Sequence, residues 1–240
     1  MDGTNLTAIN LGKKFHQHQF VLRHLDLHVK PNQRVGIFGP NGAGKTTLLK
    51  LMTGLFRPTE GTIEIDGISP FSGAEGARIR SSLGFVSHQT YLYNEMTVLE
   101  NLDLHGKLHG IKERRTRIIT SLENVGMTDH MNRPVGQLSR GMQQRIALAR
   151  STLHEPELIV FDEPDTGLDD FAREKLQGFM QTGLSERTMI ITTHNLELGM
   201  AVTDRWIILL NGVIAYDIDS VATTNEDFSY TYKQIMSSTP

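Results

Sequence analysis

Short apolar runs rich in β-branched residues lie towards both ends of the chain. Such runs, bounded by glycine and proline, are typical of strands buried in a sheet. In the first third they predict strands over Leu25–Val29, Arg34–Phe38 and Thr62–Ile65. After Pro156 they predict core strands over Leu158–Phe161, Thr188–Thr192 and Arg205–Leu210. Asn211–Gly212 then indicates a two-residue hairpin that leads into Val213.

Apolar residues at helical spacing dominate the middle of the chain. They predict helices over Thr97–His109, Lys112–Val125 and Arg140–Leu153. Later helices are predicted over Asp169–Gln181 and Leu196–Ala201, and near Asp227–Met236 in a polar tail that starts at Asp217. Because strands alternate with helices at both ends, we expect an α/β fold with a mainly parallel sheet, into which the helical middle is inserted as a lobe.

Composition and charge exclude several classes of function. The 240 residues carry 27 acidic and 24 basic side chains, a net charge of −3, which argues against a nucleic-acid binder held by bulk basicity. The absence of cysteine excludes thiolate chemistry, Fe–S ligation and zinc–thiolate sites. The N-terminus lacks the pattern of a secretory signal, and the apolar runs are too short to span a bilayer. We therefore expect a soluble chain whose membrane role, if any, depends on a partner.

A phosphate-binding loop follows the strand that ends at Phe38. Gly39–Thr47 matches the pattern G-x-x-x-x-G-K-[ST] and opens a helix that continues to Met52. In such a loop the backbone N–H groups point at phosphate oxygens, and the helix N-terminus adds partial positive charge. The candidate nucleotide ligands are Gly39, Pro40, Asn41, Gly42, Ala43, Gly44, Lys45, Thr46 and Thr47. Lys45 is assigned to the β- and γ-phosphates, and the Thr46 hydroxyl to Mg²⁺.

Two acids end the buried strand that begins at Leu158. Asp162 at the end of this strand is predicted to hold Mg²⁺, as the second acid of P-loop NTPases does. Its neighbour Glu163 projects in another direction and can accept a proton from an attacking water. Solvated acids at a strand end would be the simpler interpretation of this pair without the phosphate loop upstream.

Three further segments carry a family resemblance. Leu138–Arg145 precedes the acidic strand, Asp165–Asp169 follows it, and Thr193–Glu197 comes after the next strand. In this order, the chain from about Leu6 to Tyr216 resembles the ATP-binding subunit of an ABC transporter. The resemblance implies a P-loop NTPase (RecA-like) core with an N-terminal antiparallel β-subdomain and an inserted α-helical subdomain. It implies a single domain over residues 1–240, with a catalytic core (1–89 and 155–216), a helical signature lobe (90–154) and a C-terminal tail (217–240).

The resemblance also implies roles for residues outside the phosphate loop. Asp162 and Glu163 match the Walker B aspartate and the catalytic glutamate, and His194 matches the switch histidine that contacts the γ-phosphate. Gln89 matches the glutamine that contacts Mg²⁺ and reports on the membrane partner. The remaining matches are the signature residues Ser139 and Gly141, the D-loop residue Asp169, and Phe15 as the adenine-stacking ring with Val21 as a second contact.

Some positions depart from the family pattern. Arg140 and Met142 replace the usual glycine and glutamine of the signature, while Ser139 and Gly141 remain. Thr166 and Asn195 stand where serine and aspartate are commoner. A His/Gln-rich segment over residues 16–19 is inserted between Phe15 and Val21.

The resemblance implies ATP and Mg²⁺ as ligands and a two-fold dimer, formed by two copies or with a related subunit. ATP would lie between the phosphate loop of one chain and Ser139–Gly141 of the other. An integral membrane transporter subunit would dock near Gln89 and the helical lobe, which places the chain at the cytoplasmic face of the membrane. No nucleic-acid partner is expected. The segments His88–Thr97, Glu100–Leu102 and Leu138–Arg145 are similar to the haem exporter ATP-binding subunit of cytochrome c maturation, which favours export.

The alternatives share the nucleotide chemistry but differ in the partner. A soluble ABC ATPase of an assembly complex, such as an Fe–S cluster scaffold, would need no membrane subunit. A nucleic-acid-linked ABC ATPase is disfavoured because the chain has neither long coiled coils nor a second cassette.

His105 and His109 lie four residues apart, but we expect ordinary helix-face roles because no cysteine or carboxylate cluster accompanies them.

Overall fold

The computed structural model describes residues 4–16, 19–87 and 89–238. Gln17, His18 and His88, which belong to segments discussed above, lie outside the described residues. Of His16 and Phe171, only the backbone is described.

A three-stranded antiparallel sheet contains most of the N-terminal segment. Its strands are β1 (Leu6–His16), β2 (Gln19–Val29) and β4 (Glu60–Ile65), in the order β2-β1-β4. The strands predicted over Leu25–Val29 and Thr62–Ile65 are confirmed as parts of β2 and β4. The long β1 was not predicted, because register shifts and a positive φ at Asn10 break its alternating pattern.

A six-stranded sheet forms the centre of the fold, in the order β5-β6-β7-β3-β8-β9. Its strands are β3 (Arg34–Phe38), β5 (Leu83–Val86), β6 (Leu158–Asp162), β7 (Thr188–Thr192), β8 (Arg205–Leu210) and β9 (Val213–Asp219). Neighbouring strands are parallel except for the β8–β9 hairpin. All residues of β6 and β7 are buried, as their unbroken apolar runs predict. The predicted α/β class with a mainly parallel sheet is confirmed.

The predicted hairpin is also confirmed. Asn211 and Gly212 both adopt positive φ angles, 49° and 80°, as a two-residue turn between antiparallel strands requires. A Cβ atom at Gly212 would lie 2.3 Å from the Val21 carbonyl oxygen, so the hairpin tip packs tightly against β2.

The helical lobe lies between β5 and β6 along the chain. It contains α3 (Val98–Leu108), α4 (Arg114–Asn124) and α5 (Arg140–Thr152), which confirm the predicted helices to within about two residues at each end. A capping box between Thr97 and Glu100 begins α3. The lobe is tied to the sheet, because Gln144 Nε2 in α5 donates a hydrogen bond to the Ser87 carbonyl just after β5.

The other helices are α1 (Lys45–Met52), α2 (Gly73–Ser82), α6 (Asp170–Gly178), α7 (Leu196–Val202) and α8 (Asn225–Ser237). They confirm the predictions for α1 and α7, and they differ from the predictions at α2 and α6. α2 was not predicted, since Gly76 is its one buried residue and leaves no apolar face. The helix predicted over Asp169–Gln181 changes into a π-helical turn, Phe179–Gly183.

The C-terminal tail is part of the fold rather than a loose polar extension. β9 continues to Asp219, and α8 begins two residues earlier than expected, with Thr224 as its cap. Phe228 of α8 is fully buried, with its ring centroid 4.9 Å from Trp206 and 5.3 Å from Phe38. Phe38 is the last residue before the phosphate loop. The tail therefore packs behind the strand that carries this loop.

Replacing Phe228 tests this packing. We expect Phe228→Ala to lower the free energy of unfolding by about 3–5 kcal/mol, because a large buried ring is lost between two aromatic partners. Urea unfolding followed by the fluorescence of Trp206, the one tryptophan of the chain, measures the change directly. Val221→Ala is the matched control, since Val221 is 95% exposed and its loss should change stability by less than about 0.5 kcal/mol. Equal unfolding midpoints for both variants would contradict the packing role.

Candidate active site

The predicted phosphate loop connects β3 to α1, and its glycines are required by close packing. Gly39 has a φ of 151°, and a Cβ atom there would lie 2.2 Å from the Leu209 carbonyl oxygen. Gly44 has a φ of 104°, and its Cβ would lie 2.8 Å from the Leu22 side chain. Both backbone conformations favour glycine. The loop is thus wedged between the β8 strand end and β2.

Exposure varies along the loop. Ala43, Gly44 and Lys45 are buried, while Pro40, Thr46 and Thr47 are half-buried. Asn41 and Gly42 are exposed at the tip.

Lys45 folds back over this loop. Its Nζ donates hydrogen bonds to the carbonyl oxygens of Gly39, at 2.7 Å, and Pro40, at 3.1 Å. Burial lowers the pKa of the Lys45 ammonium, and the negative charges of Glu163 and Asp162 oppose this shift. The cation is therefore held at the loop by its own carbonyls and by two nearby carboxylates.

Asp162 joins the end of β6 to two hydroxyl groups. Its Oδ1 accepts a hydrogen bond from Thr46 Oγ1 and another from Thr192 Oγ1, each at 3.0 Å. The side chain is 1% exposed. A carboxylate and a hydroxyl oxygen in contact, next to a phosphate loop, are the hard oxygen donors that Mg²⁺ prefers. The donor set predicted for this ion is thus compatible with it.

Glu163 brings the three predicted catalytic residues together. Its Oε1 lies 2.6 Å from His194 Nε2 and 3.9 Å from Lys45 Nζ. The backbone of Glu163 has a φ of 50°, an uncommon value for a residue with a Cβ atom. Its N–H donates to the carbonyl oxygen of Thr192 at 2.9 Å. The side chain is 24% exposed, so solvent reaches a carboxylate that a cation and an imidazole flank.

Two threonines that the sequence analysis missed hold this arrangement. Thr192 Oγ1 contacts Asp162 and also lies 3.2 Å from the Glu163 backbone N–H. Thr193 Oγ1 donates to Asp165 Oδ1 at 2.8 Å and accepts from the Asn195 backbone N–H at 3.0 Å. The sequence feature that could have identified them is a pair of hydroxyl side chains at the carboxyl end of a buried strand, directly before His194.

Ser139, Gly141 and Asp169 lie at two helix N-termini. Ser139 Oγ caps α5 by accepting from the Met142 N–H at 3.3 Å, and Asp169 Oδ1 caps α6 by accepting from the Ala172 N–H at 2.8 Å. A Cβ atom at Gly141 would lie 3.5 Å from the Leu168 side chain. The signature turn and the D-loop therefore pack together, with Ser139 and Asp169 exposed.

The structure places Gln89 and Phe15 at the surface. Gln89 follows β5, has an exposed side chain, and donates its backbone N–H to Ser87 Oγ at 3.3 Å. Phe15 is 47% exposed, and its ring packs edge-on against Phe56 at 5.4 Å. Val21 is closer to the phosphate loop, because its carbonyl oxygen lies 3.0 Å from the Cβ position of Gly44.

The chain belongs to the ABC transporter family, whose pattern residues 22–166 match. It is 34% identical to the ABC transporter ATP-binding protein NatA of Bacillus subtilis (strain 168), over 95% of this chain and 96% of that protein. It is 31% identical to the SkfA peptide export ATP-binding protein SkfE of the same organism, over 82% of each chain. It is 33% identical to the aliphatic sulfonates import ATP-binding protein SsuB 1 of Rhodococcus jostii (strain RHA1), over 91% of this chain and 85% of that protein.

A solved structure agrees with this assignment. The ATP-binding cassette MJ0796, as a dimer bound to ADP and Pi, superposes with a TM-score of 0.83 at 30% identity, covering 89% of this chain and 98% of that chain. The chain is thus an ATP-hydrolysing subunit of the ABC transporter family with the P-loop NTPase fold. Within the described ranges, no helix combines the length and apolar character needed to cross a membrane.

Thr192 can be tested against a threonine on the same strand. We expect Thr192→Val to lower the rate of ATP hydrolysis about tenfold, because it removes the hydroxyl that orients Asp162 and Glu163. Thr188→Val is the matched control. Thr188 lies at the opposite end of β7, where its hydroxyl donates to the Thr4 carbonyl at 2.8 Å. This control should lose stability but keep its turnover number. Similar turnover numbers for the two variants would show that Thr192 does not position the catalytic carboxylates.

Proposed function

We propose that this chain binds ATP at the Gly39–Thr47 loop and hydrolyses it with Glu163 as the general base, to drive a separate membrane exporter. The observation that carries the proposal is that two predicted catalytic side chains lie beside one carboxylate. Glu163 Oε1 lies beside both the Lys45 ammonium and the His194 imidazole, at the edge of the sheet where the phosphate loop begins.

Each catalytic residue has a distinct task in the reaction. Glu163 removes a proton from a water molecule, whose oxygen then forms a bond to the γ-phosphorus of ATP. The bond from this phosphorus to the bridging oxygen breaks, and ADP retains the electron pair. Lys45 and His194 stabilise the negative charge on the transferring phosphoryl group. His194 must turn from Glu163 towards the phosphate to do so, which also exposes the carboxylate to the attacking water.

Thr46 and Asp162 are the residues proposed to hold Mg²⁺, with Gln89 as a further ligand. When bound, the ion neutralises charge on the β- and γ-phosphate oxygens. The direct contact between Thr46 Oγ1 and Asp162 Oδ1 supports this assignment, because both oxygens already face the same point beside the phosphate loop.

A second copy, or a related ATP-binding subunit, would complete each site. Ser139 and Gly141 lie at the exposed N-terminus of α5, where backbone N–H groups and the helix dipole favour an anion. In the proposed dimer they contact the γ-phosphate bound to the opposite phosphate loop, and a two-fold axis repeats the arrangement. The dimeric state of MJ0796 with ADP and Pi supports this geometry.

Replacing the base separates chemistry from binding. We expect Glu163→Gln to lower the ATP hydrolysis rate about 10²–10⁴-fold, since an amide cannot accept the proton. ATP-dependent dimerisation should persist, because the phosphate loop and the signature turn are unchanged. Phosphate release and size-exclusion chromatography with ATP measure the two properties. Glu174→Gln on the exposed side of α6 is the control and should match the wild type. Hydrolysis by Glu163→Gln at the wild-type rate would overturn the assignment of the base.

The surface beside Gln89 supports the proposed docking of a membrane exporter. Tyr91 and Tyr93 are 56% and 59% exposed there, and Arg150 Nη1 of α5 donates to the Tyr91 carbonyl at 2.7 Å. This aromatic surface joins the Gln89 segment to the helical lobe and is suited to a docking helix of a membrane subunit. The chain would then lie at the cytoplasmic face of the membrane. Haem export for cytochrome c maturation is the narrower proposal, and it rests on the similarity of the His88–Thr97, Glu100–Leu102 and Leu138–Arg145 segments alone.

Partner capture tests the transport role. We expect tagged Glu163→Gln, held as a dimer by ATP, to co-purify with a polytopic membrane protein from detergent-solubilised membranes of its native cells. The captured protein identifies the substrate class, and a haem-handling partner would support the narrower proposal. A Tyr91→Ala, Tyr93→Ala double variant in the same background is the matched control and should lose the partner. Capture of a soluble assembly complex with no membrane protein would overturn the transporter assignment and favour an assembly ATPase.

A further inference from the structure

Three histidines meet at the junction of the helical lobe and the sheet, where β5 and β6 begin, whereas the candidate active site lies where β6 ends. His105 and His109 lie one helical turn apart on α3, and His154 follows α5 just before β6. One ring nitrogen from each lies within 4.8 Å of the others, and all three side chains are half-buried. The ring centroids of His109 and His154 are 4.1 Å apart, and those of His105 and His109 are 4.3 Å apart.

The hydrogen bonds of these rings leave ligand atoms free. His154 Nε2 lies 3.1 Å from the carbonyl oxygen of Leu83, so it carries the proton and donates. The other nitrogen, Nδ1, is then a lone-pair acceptor, and it is buried with no hydrogen-bond partner among the described residues. His105 Nε2 is likewise buried with no hydrogen-bond partner among the described residues. A histidine that donates one N–H to a backbone carbonyl and offers its other nitrogen is the usual arrangement of a metal ligand.

The environment keeps the imidazoles uncharged. Burial lowers the pKa of His105 to about 3 and that of His154 to about 4. Burial also lowers the pKa of His109, although a hydrogen bond with the Ser81 backbone opposes the shift. Two of the three rings thus have a backbone partner that fixes their orientation.

We propose that His105, His109 and His154 form a zinc site with one open coordination position. Three imidazoles are a common protein ligand set for Zn²⁺, which completes its tetrahedron with water or another ligand. At Zn–N distances of about 2.0–2.1 Å, tetrahedral geometry brings the nitrogens to about 3.3 Å from one another. Small side-chain movements that keep the two backbone hydrogen bonds can supply this contraction, since the ligand atoms already lie within 4.8 Å of one another.

The surroundings define the fourth ligand. The cavity beside the cluster is lined by Leu55, Phe85 and Tyr91, and by the guanidinium of Arg150, whose positive charge acts on His105. Among the residues that the structure describes, no carboxylate belongs to the cluster, so the bound ion would keep its full double charge. An anion, such as hydroxide or chloride, is therefore the preferred fourth ligand, and it would lie near Arg150.

Zinc at this site would link three elements of the fold. It would join α3 to the turn after α5, and through the hydrogen bond of His154 to Leu83 at the start of β5. Metal binding would thus fix the helical lobe against the central sheet, independently of ATP.

The test is a zinc titration of untagged, nucleotide-free protein against a chromophoric chelator. We expect one Zn²⁺ per chain, and at least a tenfold loss of affinity in each of His105→Asn, His109→Asn and His154→Asn. Two controls address the other histidines. His28→Asn removes an exposed histidine on β2, and His194→Ala removes the histidine of the candidate active site. Both should bind zinc as the wild type does. Circular dichroism shows which variants are folded.

A cysteine variant studied by absorption spectroscopy tests the proposal even if an asparagine variant does not fold. The chain contains no cysteine, so His109→Cys introduces its one thiol. With Co²⁺ as the probe, we expect tetrahedral d–d bands in the wild type and a new thiolate-to-cobalt charge-transfer band in His109→Cys. The absence of a one-to-one site in the wild type would overturn the proposal. So would unchanged affinity in the folded cluster variants, or a His109→Cys spectrum without the charge-transfer band.

Discussion

One buried carboxylate oxygen holds the candidate active site together. Asp162 Oδ1 accepts hydrogen bonds from Thr46 Oγ1, at the start of α1, and from Thr192 Oγ1, at the end of β7. A buried charge is costly unless its hydrogen bonds are satisfied, so the two hydroxyls and the carboxylate stabilise one relative position of three elements. The phosphate loop, the acidic strand and the strand before His194 are therefore fixed to one another before any nucleotide binds.

Strand register explains why these groups meet. Asp162 of β6 pairs with Thr192 of β7, and Thr192 pairs in turn with Ile37 of β3. Three parallel strands thus end at one edge, which is where ligands of open α/β sheets bind. The left-handed backbone at Glu163 then turns its carboxylate towards Lys45 and His194. Such local strain persists only where the surrounding structure enforces it, here through the hydrogen bonds that the Glu163 N–H donates to the carbonyl and hydroxyl oxygens of Thr192.

The sequence predicted best those features that are local in the chain. β3, β7 and β8 have the predicted bounds, because strands buried on both faces are unbroken apolar runs. β1 was missed, because its bulges disrupt the alternation on which the prediction depends. In the site, the phosphate loop and the acidic pair are contiguous and carry their own pattern. The role of Thr192 follows from the pairing of β6 with β7, and the histidine cluster from the packing of α3 against α5. No spacing in the sequence encodes the pairing of Thr192 with Asp162 or the approach of His154 to α3.

The contacts of the D-loop connect the two halves of the proposed site within one chain. The Arg140 side chain lies 3.6 Å from the Cβ position of Gly167, beside the signature turn. Two residues earlier, Asp165 accepts the hydrogen bond of Thr193, which directly precedes His194. A shift of the α5 N-terminus on contact with a second chain would therefore be transmitted through a packed segment to the loop that holds the switch histidine. Two sites are coupled when both act on the conformation of one element, and the D-loop contacts both the signature turn and the loop that holds His194. In the proposed dimer, hydrolysis in one chain would then depend on the partner through these D-loop contacts.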